Sequence, residues 1–216
     1  MQKEMQVKHR ELKKGFFVVL EGIDGSGKTT QAKRLVKRLT EKGFNAVFFK
    51  EPSAGPWGRR LKEKARHQDG LTPEQEFELF QKDREENVEL NIKPALKKKM
   101  IVVLDRYYFS TMAYQGAKGI DIKEIKDRND KTAVPPDMVI ILDVSAGTGL
   151  NRIKERKKRD RLFEREDYLR KVRKIFKSFS GENIVHLDGR ERKENLYIKI
   201  EKMVIDRITE LLAPSV

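Results

Sequence analysis

The sequence predicts an α/β fold in which a five-stranded parallel sheet carries helices on both faces. Three observations predict it. Short apolar runs alternate with charge-rich amphipathic segments along the chain: Phe16–Leu20, Ala46–Phe49, Ile101–Leu104, Met138–Leu142 and Ile184–Leu187 are the candidate strands. A glycine-rich loop joins the first run to a helical stretch. Acids follow several strands directly, among them Glu51, Asp105 and Asp143. In such sheets ligands bind at the carboxyl ends of the strands, so these groups should collect on one edge.

The first strand leads into Gly22-Ile23-Asp24-Gly25-Ser26-Gly27-Lys28-Thr29, which fits the phosphate-loop pattern G-x-x-x-x-G-K-[ST]. Thr30-Gln31-Ala32 and the residues to Leu39 then follow at helical spacing. The glycines let successive N–H groups face one phosphate chain, and the helix N-terminus adds partial positive charge. Lys28 can reach the β- and γ-phosphates of a nucleoside triphosphate, and the Thr29 hydroxyl can ligate Mg²⁺. The expected fold is therefore that of a P-loop NTPase.

Further along, Thr72-Pro73-Glu74-Gln75 combines a Thr cap, Pro at the first helical position and Gln three residues after the cap. This helix should run to about Lys93, where Pro94 ends or kinks it. A basic segment, Arg152 to Arg161, follows the fourth strand. Leu196–Leu212 carries apolar residues at helical spacing and should pack on the sheet. With no repeat, low-complexity tract or linker, residues 15–216 read as one domain. Residues 1–14 read as a basic extension expected to fray.

The chain has 216 residues, enough for one well-buried core, and no cysteine, which excludes disulfides and thiolate metal sites. No apolar run reaches the length of a membrane span, and the N-terminal segment lacks the apolar core of a signal peptide. A cytoplasmic protein is expected. The net charge of +14 suits nucleic acid or small anionic substrates. Its spread along the chain favours nucleotides over nucleic acid, and dense Lys, Arg and Glu also resemble a thermophile surface.

A second acid-and-base site follows the third strand at Asp105-Arg106-Tyr107. An acid there can hold the metal shell of a phosphate-loop enzyme, and Arg106 can fork a phosphate. Beside a phosphate loop, the pair suggests a second, phosphate-bearing substrate opposite the nucleoside triphosphate.

These residues carry a resemblance. Glu21 to Thr30, Glu51-Pro52, Asp105 to Gly116, Pro136-Asp137 and Asp160-Arg161 together resemble the thymidylate kinases, a branch of the nucleoside monophosphate kinases. The likeness covers nearly the whole chain from about Gly15. It implies transfer of the γ-phosphoryl group of ATP to thymidine 5′-monophosphate (dTMP), giving dTDP on the way to dTTP. It also implies Mg²⁺, a homodimer, and a mobile basic lid at about residues 150–165.

The resemblance implies roles residue by residue. Lys28 and the loop amides would hold the ATP phosphates, with Thr29, Asp24 and Asp105 at the metal. Arg106 would hold the acceptor phosphate. Phe80 would stack on thymine, Arg84 would bond a ring carbonyl, and Thr111 would read another polar edge. Tyr114 would lie near the sugar, with Glu51, Ser110 and Gln115 as neighbours. Spacing alone reads Phe77 and Phe80 as an ordinary core pair, and Phe77 keeps that reading. Arg152 would meet ATP, and Arg156, Arg159 and Arg161 of the lid would deliver cations to the transferring phosphoryl group. Gly25 stands where some members carry arginine, which also directs attention to the lid.

Some positions depart from the family pattern. Lys50 replaces an arginine, Ser53 to Gly58 replaces a glycine-threonine pattern, and Leu162-Phe163 displaces the acid expected after Arg161. Asp188-Gly189-Arg190 is an adenine-pocket candidate by position alone. The rival functions are a monophosphate kinase with another acceptor such as deoxyuridylate, and a nucleic-acid-dependent ATPase.

Overall fold

A computed structural model describes residues 10–67, 70–154 and 162–212. Its strands are β1 (Phe16–Glu21), β2 (Ala46–Lys50), β3 (Ile101–Asp105), β4 (Met138–Asp143) and β5 (Ile184–Asp188). They form one parallel sheet in the order β2-β3-β1-β4-β5. Each strand runs one residue past its apolar run. In four of the five that residue is an acid: Glu21, Asp105, Asp143 and Asp188. These acids stand at the carboxyl edge of the sheet, and the two on the central strands, Glu21 and Asp105, are fully buried there and held by hydrogen bonds.

Residue alternation in β1 divides the core. Phe16, Val18 and Leu20 pack on helix α1 (Lys28–Glu41) and the C-terminal helix (Lys193–Thr209). Phe17 and Val19 face the opposite layer, with Val88, Ile92 and Tyr107. That layer holds α2 (Pro56–His67), α3 (Pro73–Asn87), a π-helical segment at Val88–Ile92 and α4 (Lys93–Lys97). The chain continues through α5 (Tyr108–Gly116), α6 (Ile122–Thr132), α7 (Ala146–Lys154) and α8 (Leu162–Ser178), so the C-terminal helix is α9.

The capping box of α3 forms as expected. Thr72 Oγ1 accepts from Gln75 N at 3.2 Å, and Gln75 Oε1 accepts from Thr72 N at 3.1 Å. Of the two outcomes expected at Pro94, an end or a kink, the end does not occur. Helical backbone continues to Lys97, with Lys93-Pro94 opening α4 directly after the π segment. The wider π turn makes room for a ring that would otherwise strike the preceding turn.

Residues 10–14 are docked, contrary to the frayed extension expected of them. Leu12 is only 2% exposed, inside the core of α1 and α9. Arg10 N donates to Gly43 O at 2.9 Å and Lys13 N to Leu211 O at 2.7 Å. Helix α9 accordingly ends at Thr209, short of the expected Leu212, which instead bridges to Leu12.

Candidate active site

The phosphate loop lies where β1 gives way to α1. Gly22, Gly25 and Gly27 all have positive φ, at 132°, 80° and 102°. Two of them also sit against backbone. A Cβ on Gly22 would fall 2.4 Å from Leu142 O, and one on Gly25 would fall 2.2 Å from Gly149 O. Glycine is required there by both conformation and space. Lys28 is buried, its Nζ donating to Ile23 O at 2.8 Å and Ser26 Oγ at 3.3 Å. Burial, and then Arg106 nearby, lowers its pKa to about 7. Thr30 continues the first turn of α1.

Asp105 ends β3 beside this loop. Its Oδ2 accepts from the Thr29 hydroxyl and from Lys50 Nζ, the latter at 3.1 Å. Lys50 Nζ also reaches Thr29 Oγ1 at 3.3 Å. The second carboxylate oxygen, Oδ1, is buried without a hydrogen-bond partner among the described residues.

Arg106 adopts φ 75°, a left-handed conformation unusual for a side-chain-bearing residue. The turn aims its guanidinium back at the phosphate loop. Nη2 donates to Asp24 Oδ1 at 2.5 Å and Nη1 to Ser110 Oγ at 2.9 Å, with the Tyr114 ring centroid 5.1 Å away. Tyr114 Oη accepts from Asp24 N at 3.0 Å. Glu21 anchors the other side. Fully buried, it accepts from Tyr107 N at 2.7 Å and Ser110 N at 3.1 Å at the start of α5, and from Ser110 Oγ at 2.6 Å. Burial raises its pKa, against the opposing pull of Ser110 and Arg106. The sequence reading gave Glu21 no role. The acid-after-buried-strand signal that found Asp105 applies to it equally.

Next to Arg106 opens a cavity of about 200 Å³. Asp24, Glu51, Phe80, Arg84 and Arg106 line it, with Ser110, Thr111, Tyr114 and Gln115 from the α5 side. Apart from Asp105, which sits with Thr29, every residue expected at the acceptor is thus brought together. Phe80 is half-buried on the cavity wall, whereas Phe77 is 2% exposed and belongs to the core. Arg84 is buried with all five N–H groups engaged. Nε and Nη2 donate to Glu51 Oε2 at 3.0 and 2.7 Å, Nη1 to Gln81 at 3.1 Å and Asn129 at 2.8 Å, and Nη2 to Thr111 Oγ1 at 2.9 Å. Burial outweighs that pairing and pushes Glu51 up to about 7. Glu76, Lys118 and Tyr168 also line the cavity and were not foreseen. They come from α3, the turn after α5 and α8, and only the tertiary fold brings them together.

On the opposite side of the phosphate loop, Arg152 donates through both Nη atoms to Gly189 O at 3.0 Å and through Nη1 to Gly25 O at 3.3 Å. It bridges the loop to the segment after β5. Asp143 is taken up by Arg173, at 2.6 and 2.8 Å, and Asp188 by Arg190. Arg156, Arg159 and Arg161, in the middle of the expected lid, lie outside the described residues.

A family model described as thymidylate kinase matches residues 20–200. A protein named "Probable thymidylate kinase" from Archaeoglobus fulgidus is 43% identical over 187 residues, 87% of this chain and 93% of that one. A thymidylate kinase of Akkermansia muciniphila is 40% identical over 200 residues, 93% of this chain and 96% of its own. A thymidylate kinase of Xanthomonas euvesicatoria is 43% identical over 173 residues, 79% of this chain and 76% of its own. With the phosphate loop, the Asp105-Arg106 turn and the neighbouring cavity in one place, and a likeness of this extent, the chain belongs to the thymidylate kinase family.

Proposed function

We propose that the protein transfers the γ-phosphoryl group of ATP to dTMP, giving ADP and dTDP. The observation that carries the reading is the Arg106–Asp24 pair. It makes one wall common to the phosphate loop and the neighbouring cavity, so a donor in the first and an acceptor in the second would meet across it.

Lys28 would exchange its contacts with Ile23 O and Ser26 Oγ for the β- and γ-phosphates of ATP. Arg106 would turn its fork to the acceptor phosphate. An oxygen of that phosphate attacks the γ-phosphorus, and the bond to the β–γ bridging oxygen breaks, leaving with ADP. The attacking oxygen is already anionic, so no general base is required, and positioning and charge neutralisation carry the catalysis. Thr29, the buried Oδ1 of Asp105, without a partner among the described residues, and the nearby Asp24 suit Mg²⁺, a hard cation that takes few protein oxygens and completes its shell from phosphates and water. When bound, it would neutralise charge on the phosphates. Arg152 and the lid arginines Arg156, Arg159 and Arg161 are proposed to supply further cations.

In the cavity, Phe80 would stack on the thymine ring. Gln115 Oε1, buried and without a partner among the described residues, suits the N3–H of thymine. Arg84 would reach a ring carbonyl by giving up one of its five bonds, the Thr111 bond being the one to a neutral hydroxyl on the cavity wall. Tyr114, beside Arg106, is assigned to the sugar. The family resemblance adds a homodimer, and the substrates suit the cytoplasm. Among the described residues no helix is long and apolar enough to cross a membrane.

The test is ATP consumption with Mg²⁺ against a panel of monophosphates. Turnover led by dTMP supports the reading. Turnover without acceptor, or only with nucleic acid, overturns it.

A further inference from the structure

Gln115 is 1% exposed and lines the acceptor cavity. Its Nε2 donates to Glu76 Oε2 at 2.7 Å. A carboxylate only accepts hydrogen bonds. The amide NH₂ must therefore face Glu76, which turns the carbonyl oxygen away from it. That oxygen is the buried atom with no partner among the described residues. Glu76 is itself held, because Lys118 pairs with the same Oε2 from the turn after α5. Glu76, Gln115 and Lys118 all line the cavity.

We infer that Glu76 is a positioning residue that sets the base preference of the acceptor site by fixing which end of the Gln115 amide faces the base. The inference rests on the proposed reading of this cavity as the dTMP pocket. An amide turned by 180° exchanges an acceptor for a donor in nearly the same volume. With Oε1 forward, the site accepts from a pyrimidine whose N3 carries hydrogen, as in thymine and uracil. With Nε2 forward, it donates to an N3 lone pair, as in cytosine. Glu76 removes the second option, so cytosine would leave a buried acceptor facing a lone pair. Mismatches of that kind discriminate far more strongly than a lost methyl contact.

The experiment measures equilibrium binding of dTMP and dCMP to the full chain by calorimetry, with KM and kcat for dTMP. It compares wild type with Glu76→Ala, Glu76→Gln and Gln115→Leu. In Glu76→Ala the amide is free to turn. The dTMP/dCMP preference should fall at least about tenfold, through weaker dTMP and stronger dCMP binding, with the effect in KM rather than kcat. Glutamine at 76 can offer either a donor or an acceptor, so Glu76→Gln should lose about threefold of the preference, less than Glu76→Ala. Equal weakening of both monophosphates, with the preference intact, overturns the inference and leaves Glu76 a structural residue. If Glu76→Ala folds poorly, an undiminished preference in Glu76→Gln overturns it instead. Unaltered dTMP binding in Gln115→Leu would overturn the reading of the cavity itself, an outcome separable from a failure at Glu76 alone.

Discussion

Arg106 and Asp24 meet at 2.5 Å, joining the turn after β3 to the middle of the phosphate loop. The pair fixes a guanidinium at the boundary between the two nucleotide regions. Arg106→Ala should lower kcat/KM for dTMP by about 10²- to 10³-fold, as loss of one preorganised charge donor does. Binding of ATP, measured without acceptor, should stay near wild type. Acceptor kinetics at the wild-type level would remove Arg106 from the reaction.

Lys28 gives a pH prediction. Its folded pKa is lowered to about 7, so above that pH the ligand-free site holds it largely neutral, while the unfolded chain keeps it charged up to its ordinary value of 10.5. The unfolded state therefore binds more protons between these values, and this group's contribution to stability rises with pH across the window. Triphosphate binding favours the charged form. At pH 8 binding of ATP should take up close to one proton, and affinity should weaken as pH rises further. Calorimetry in buffers of different ionisation heat reads the uptake directly. Identical heats in all buffers would contradict the lowered pKa.

For Phe80, a half-buried wall residue, Phe80→Ala should weaken dTMP binding by about 1–3 kcal/mol, the range for an aromatic stacked on a base. The melting temperature should fall little and ATP binding should hold. Equal weakening of both nucleotides would assign Phe80 to the core alongside Phe77.

Leu12 tests the docked strap. It is 2% exposed and packs with α1 and α9. Leu12→Ala should cost about 2–4 kcal/mol of unfolding free energy in a denaturant titration, the range for a core truncation. A change below about 0.5 kcal/mol would mark residues 10–14 as peripheral.

Much of this was legible in the chain because each signal was local. The five apolar runs became the five strands, and the spacing around Lys28 and Thr29 fixed the phosphate loop. The capping box at Thr72 likewise depends on residues only three apart in the chain. What escaped is non-local. The burial of Leu12 depends on Leu212, two hundred residues away along the chain, through a bridge that no nearby residue encodes. The saturation of Arg84 needs acceptors from β2's exit, α3, α5 and α6 at once. At Pro94 the ending alternative failed for a different reason. Its local preference for ending a helix was overridden by the apolar anchors Val88, Ile92 and Ala95, which keep the backbone on the sheet.

Gly25 and Gly149 meet backbone to backbone. A Cβ on Gly149 would lie 2.5 Å from Asp24 O, as one on Gly25 would lie 2.2 Å from Gly149 O. Neither position can gain a side chain while α7 keeps its seat. An arginine at position 25 of this chain would have to push α7 away from the loop. The missing side chain is thus the condition for a tighter joint. Through it, any tilt of α7 becomes a displacement of the amides that would cradle the donor phosphates.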